Sequence, residues 1–184
     1  MTDREASARF ERIYPLVRDP LARYLARRAA PDAVEDLFAE VMTVAWRRIR
    51  EIPQGDELPW LYGVARRVLA NHRRASGRFG RLLERIAIIE RGIDPGVALG
   101  PSGDPELAAA MAGLSAADAE LLRLWAWEEL APREIAQVLG ITPNAASIRL
   151  HRAKGRLREA LEIDPRKEPQ ATGHLPGVER KEAR

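Results

Sequence analysis

Two blocks of basic residues carry most of the chemical information in this chain. The first holds Arg66, Arg67, Arg73, Arg74, Arg78 and Arg81, with no acid among them. The second holds Arg149, Arg152, Lys154, Arg156 and Arg158, and no acid lies between Ser147 and Arg158. Formal net charge is only +3, so the acids must gather elsewhere, as in Asp32, Glu35, Asp36 and Glu40. One basic block reads readily as a solvated helix face. Two, each beside an aromatic segment or a helix-turn-helix pattern, suggest two contacts with a polyanion. Trp60 and Tyr62 stand just ahead of the first block, and Asn71 lies inside it. Opening a nucleic-acid duplex needs an aromatic or apolar wedge against an exposed pair, plus cations for the freed strand. Trp60, Tyr62, Arg66, Arg67, Arg73 and Arg74 offer both, although Trp60 suits a core anchor as well. Enzyme chemistry finds little to work with. There is no metal-ligand spacing, phosphate-cradling glycine loop or nucleophile motif, and the only histidines are His72, His151 and His174. No cofactor is called for.

The elements that must position these groups are helical. The chain has 184 residues, 46% of them apolar but only 5% aromatic, so its core must be built from Leu, Ile, Val and Ala. That mixture favours helix. No stretch alternates long enough to read as a strand. The fold class expected is all-α, with two small helical domains joined by a flexible linker. Absence of cysteine excludes disulfides and thiolate metal sites. The charged start and the lack of a long apolar run predict a soluble, cytoplasmic chain with no membrane insertion.

In the first lobe, Phe10, Ile13, Tyr14, Val17, Leu21, Tyr24 and Leu25 recur at helical spacing, with Pro15 and Pro20 as irregularities able to break the run. Asp32, with Glu35 three residues on, reads as a capping box. Val34, Leu37, Phe38, Val41, Ala45 and Ile49 then form one apolar face. A loop at Pro53–Asp56 follows, and Asp56 is a candidate cap for a third helix through Trp60, Leu61, Val64, Val68 and Leu69. Glycines and prolines crowd the segment from Gly92 to Pro105, which reads as linker. Asp104-Pro105 opens a second lobe. The boundaries are 1–85, a linker at 86–104, 105–163, and a tail at 164–184 whose composition reads as disordered.

The sharpest local pattern spans Pro132 to Lys154. A short helix carries Ile135, Ala136 and Leu139; Gly140 supplies the turn; Thr142 and Pro143 suit the cap and first position of a second helix. There Ala146, Leu150, Ala153 and Leu157 fall on one side. Asn144, Ser147, Ile148, His151 and Gly155 fall on the other. Short polar groups there can reach base edges in a major groove, Ile148 can meet a thymine methyl, and Arg149 and Arg152 can hold phosphates.

At these residues the chain resembles the extracytoplasmic-function (ECF) sigma factors of the sigma-70 family. Glu134-Ile135-Ala136, Leu139-Gly140-Ile141 and Arg149-Leu150-His151-Arg152-Ala153-Lys154 match their region 4 pattern, while Asn144-Ala145-Ala146-Ser147-Ile148 departs from it on the base-reading face. Val34 through Met42, followed by Trp46, resembles region 2. The resemblance implies that Asp36, Ala39 and Glu40 dock on the clamp helices of the largest polymerase subunit, with Ala39 in place of the usual glutamine. By spacing alone, Asp36 and Glu40 read as solvated surface acids. Pro59 to Arg67 resembles the melting segment, with Arg67 where asparagine is usual, and a loop around Ile52 would take an unstacked base. The implied partners are core RNA polymerase, including the flap of its second-largest subunit, promoter DNA with its −35 and −10 elements, and an anti-sigma factor. The alternative is a helix-turn-helix regulator that does not bind core polymerase. It predicts a receiver or ligand domain in front, and the first lobe lacks the strand–helix alternation of a receiver.

Overall fold

The computed structural model describes residues 2–84 and 104–161. The expected linker (apart from Asp104), the expected tail and the side chains of Arg78 and Arg81 lie outside them. The described residues form seven helices and no strand. The fold is all-α. No helix among them is long and apolar enough to cross a membrane.

The first lobe packs three helices: α1 (Asp3–Ala26), α2 (Val34–Arg47) and α3 (Glu57–Glu84). Helix α1 corrects the sequence reading, for it runs unbroken through Pro15 and Pro20. An interior proline costs about 3 kcal/mol by removing a hydrogen bond and crowding the carbonyl four residues back. Those carbonyls belong to Glu11 and Leu16, both exposed, so water can take the lost bonds. On the opposite side Ile13, Val17, Leu21, Tyr24 and Leu25 are buried. At about 1.5–3 kcal/mol for each large apolar side chain, that face outweighs two prolines. A second correction falls at α2. Pro31–Ala33 forms a short 3₁₀ turn, and Ala33 stands at the cap position without a side-chain bond. Asp32 therefore caps nothing, because the tighter turn takes up the entry to α2. Asp56 stands directly ahead of α3, where its carbonyl accepts from the Trp60 amide at 3.1 Å and its carboxylate accepts from Arg133, 3.3 Å away.

The second lobe contains α4 (Pro105–Ala112), α5 (Ala116–Ala126), α6 (Pro132–Leu139) and α7 (Pro143–Ala160). Its helix starts follow the sequence closely. The Asp104 side chain accepts from the amides of Glu106 and Leu107, and Ser115 accepts from Asp118. Thr142 accepts from the amide of Ala145, and Pro143 follows in the first turn. Gly140 ends α6 in the left-handed region at φ +67°, where a Cβ would be strained. Ala136 and Ala146 are both buried, which lets α6 and α7 cross closely.

The lobes do not stand apart. Helix α6 lies against α3, so near that a Cβ on Gly63 would be 3.7 Å from the Val138 carbonyl oxygen. Around this contact sits a charged cluster. Arg28 donates to Glu128 at 2.9 Å and to Glu120 at 3.2 Å, while Arg27 reaches Glu128 at 3.0 Å. The side chains of Arg28 and Glu128 are only 4% and 2% exposed, so this is an interior ion pair. Burial pulls the Arg28 guanidinium down, but Glu120, Tyr24 and Glu128 together hold it above its ordinary value. Apart from Ala110, the buried apolar residues of both lobes form one continuous core.

Removing the cap of α7 tests the local account. Thr142→Ala should lower stability by about 1 kcal/mol, read as a shift in urea midpoint at unchanged slope, whereas Thr142→Ser should restore most of it.

Candidate nucleic-acid interface

Helix α7 divides as its spacing requires. Ala146, Leu150 and Ala153 are buried, and Leu157 is partly buried. Asn144, Ser147, Ile148, Arg149, His151 and Arg152 are all exposed. The Ser147 hydroxyl donates to the Pro143 carbonyl at 3.0 Å, which holds its oxygen outward as an acceptor. Ile148 is 44% exposed, a large apolar surface to leave in water on a helix that buries its other side. Arg149 and Arg152 meet no carboxylate among the described residues.

The rest of the second basic block behaves differently. The Lys154 ammonium lies 3.3 Å from the centre of the Trp125 ring, and Arg156 pairs with Asp118 at 2.7 Å. Both contacts tie α7 to α5. Burial would raise the Asp118 carboxyl, yet hydrogen bonds from Arg156 and Ser115 hold it below the ordinary range. The block thus splits into outward cations and cations used to brace α7 against α5. Sequence reasoning missed that division because Trp125 and Asp118 lie far back along the chain.

Helix α3 carries a second surface. At about 100° per residue, Trp60, Arg67, Asn71 and Arg74 fall along one face, and Tyr62, Arg66 and Arg73 along another. Arg66, Arg67, Asn71, Arg73 and Arg74 are exposed. Arg74 donates to the Asn71 side chain, and Arg73 to the Arg28 carbonyl at 3.1 Å. Trp60 is half-buried, packed partly on the core, with the Arg48 guanidinium 5.4 Å from its ring centre. Tyr62 is 1% exposed and stacks on Tyr24 at 4.7 Å. Burial drives both phenols upward from their ordinary value. The structure therefore separates two aromatics that the sequence placed together: Trp60 reaches the surface and Tyr62 does not. The Ile52 side chain is buried too, and its carbonyl accepts from Arg9. Pro53, Gln54 and Gly55 make the exposed part of that loop.

On α2, Asp36, Ala39 and Glu40 are exposed while Leu37 and Val41 are buried. Next to this surface is an aromatic group not evident from spacing. Trp46 meets Phe10 edge-on at 5.4 Å, and Tyr14 meets Phe38 at 6.3 Å.

Comparison with known proteins agrees with this arrangement. The family model for Sigma-70 region 2 matches residues 10–79, and that for Sigma-70, region 4 matches residues 105–157. Among solved structures, the chain is similar to the sigma factor RpoE from Bartonella quintana, crystallised with the anti-sigma factor NepR. Identity is 24%, the TM-score is 0.61, and the match covers 84% of this chain and 98% of that one. It is also similar to CnrH in complex with the cytosolic domain of CnrY, at 19% identity and TM-score 0.54, covering 84% of this chain and 88% of that one. These likenesses show a shared fold. No curated protein matches the sequence.

The split on α7 predicts two kinds of mutant. Arg149→Ala and Arg152→Ala should weaken binding to every duplex, each flattening the log affinity–log salt slope by about 1. His151→Ala should instead lose about 1–3 kcal/mol of preference at one base position. Equal weakening by His151→Ala across all single-base variants of the site would show that this face does not read bases.

Proposed function

Since the chain belongs to the sigma-70 family and carries its regions 2 and 4, we propose that it is an ECF-type alternative sigma factor acting in the cytoplasm. It binds core RNA polymerase, reads the −35 element with α7 and the −10 element with the first lobe, and helps melt the −10 DNA. The observation that carries this reading is the order of exposed surfaces along the chain. An outward acid pair on α2 comes first, the Trp60–Arg67–Asn71–Arg74 line on α3 second, and the outward face of α7 last.

Each surface has a physical task. Asp36 and Glu40 lie one turn apart and present two carboxylates to basic side chains of the clamp helices, while the flap of the second-largest subunit receives the second lobe. On α7, Asn144, Ser147, Ile148 and His151 discriminate bases, and Arg149 and Arg152 set general affinity and register. On α3, Trp60 abuts the edge of the opening duplex, and Arg67, Asn71 and Arg74 follow the freed strand. Arg66 and Arg73 flank that path, and the exposed loop after Ile52 takes an unstacked base. An anti-sigma factor is the expected regulator, a proposal supported by the complexes in which the structural neighbours were crystallised.

Docking is tested by charge. Asp36→Lys with Glu40→Lys should abolish holoenzyme formation without changing the circular dichroism spectrum; undiminished core affinity in that double mutant would remove the assignment.

Melting must draw on binding energy. Unstacking costs roughly a few kcal/mol per step, and stacking one base on an aromatic returns about 1–3 kcal/mol. Trp60→Ala should therefore leave core affinity and closed-complex formation nearly intact and suppress open-complex formation. A template with a pre-melted −10 bubble should restore transcription. Without that rescue in a folded mutant, Trp60 is a core anchor, and the exposed Pro53–Gly55 loop becomes the candidate.

A further inference from the structure

Trp60 stands in the first turn of α3, and its amide ties the backbone there to the Asp56 carbonyl at 3.1 Å. A fixed backbone does not fix a ring. The side-chain torsions remain, and a half-buried indole can occupy more than one rotamer. The core holds part of the ring. A side chain from another element covers part of the rest: the Arg48 guanidinium lies 5.4 Å from the ring centre.

Arg48 closes α2 on a firm footing. Its amide donates to the Val44 and Trp46 carbonyls. In the turn that follows, the Glu51 amide donates to the Arg48 carbonyl at 2.8 Å. The Ile49 and Ile52 side chains are buried in the core, and Arg9 of α1 donates to the Ile52 carbonyl. The guanidinium is held at its other end by Glu51. Arg48 Nε donates to the Glu51 carboxylate at 3.0 Å, and Nη2 donates to the same oxygen. The two side chains are 41% and 55% exposed, and an exposed ion pair adds little stability. Its effect is geometric. A guanidinium is a rigid planar fork, so two bonds to one oxygen set where its plane lies. The carboxylate also offsets the Arg48 charge, which suits the side chain poorly to holding a phosphate.

We propose that Arg48, oriented by Glu51, is a positioning residue that holds the Trp60 ring in the rotamer with which it meets the opening duplex. The proposal rests on the melting role given to Trp60 above and adds the group that prepares the ring beforehand. Preparation matters because a side chain frozen only during melting would lose its rotamer freedom at that step. The stretch that carries Arg48 and Glu51 runs directly into Ile52 and the exposed Pro53–Gly55 loop. Wedge and base-receiving loop therefore share one support, although they lie on different elements.

The chain has four tryptophans, Trp46, Trp60, Trp125 and Trp127. Labelling with 5-fluorotryptophan gives each a fluorine resonance, and Trp60→Phe identifies the one from Trp60. In the free protein, Arg48→Ala and Glu51→Ala should each move that resonance and leave those of Trp125 and Trp127 in place. Arg48→Lys keeps the charge without the planar fork, so it should fall between. Glu51→Ala should move the resonance no further once Arg48→Ala is present. An unmoved Trp60 resonance in either single alanine variant overturns the proposal. Far-UV circular dichroism checks folding, and should Arg48→Ala unfold the chain, Arg48→Lys and Glu51→Ala decide. In a second arm, with core polymerase and a promoter the chain transcribes, Arg48→Ala should slow open-complex formation by about two- to fivefold, the equivalent of one exposed cation–π contact. Closed-complex affinity and its salt slope should not change. In a Trp60→Ala background the same substitution should have no further effect, because the group it positions is gone. A full additive loss, or a flattened salt slope, overturns positioning and makes Arg48 a phosphate contact in its own right. Normal opening by Trp60→Ala removes the melting reading itself, and the polymerase-free spectrum keeps that outcome distinct from failure of the Arg48 contact.

Discussion

A guanidinium buried at the end of the first helix sets terms for the whole arrangement. Arg28 lies over the Tyr24 ring, 3.7 Å from its centre, and cannot keep its charge there without anions. No acid of the first lobe among the described residues pairs with it. Glu120 and Glu128 supply the need, and both belong to the second lobe. Meeting Arg28 fixes α5 and the turn after it against the end of α1. That brings Trp127 beside Arg27 and delivers α6 to the glycine gap in α3. Apolar burial supplies most of the free energy, but it is indifferent to register. The charges choose the register, since a shift of one turn would leave a full charge without a partner.

The same economy explains which aromatics are available for work. Tyr24 and Tyr62 are consumed by the junction, where each ring stacks on the other and on the apolar floor between the lobes. Trp60 lies on the opposite face of α3 from Tyr62 and escapes that fate. Trp125 shows a third use, since its ring holds the Lys154 ammonium and steadies α7 from behind.

What was legible in the sequence follows the range of the interaction concerned. The starts at Asp104 and Thr142 and the stop at Gly140 were plain because each depends on residues within three positions. The inward and outward sides of α7 were equally plain, since periodicity alone fixes them. Local signals misled where a longer-range term was larger. Pro15 and Pro20 looked like breaks because the spacing shows the apolar face but not how completely α2 and α3 bury it. Asp32 looked like a cap because its spacing to Glu35 fits one, but Pro31 had already committed the backbone to a tighter turn. The junction itself was illegible. Arg28 is 92 residues from Glu120 and 100 from Glu128, and nothing in a linear pattern marks those three charges as neighbours. The resemblance pointed to residues of α2, α3 and α7 that are exposed, but it gave no hint that Tyr62 and Ile52 would turn inward.

The division of α7 also bears on how such a protein can change over generations. Its inner positions are small and tightly held, and enlarging Ala146 or Ala153 would force the crossing apart. Its outer positions add almost nothing to the interior. Substitutions at Asn144, Ile148 or His151 should alter stability by no more than about 0.5 kcal/mol. Selection can therefore act on those positions one at a time without first acquiring a compensating mutation. A duplicated gene could drift at that outer face while its scaffold, the acid pair on α2 and the junction between the lobes stayed unaltered.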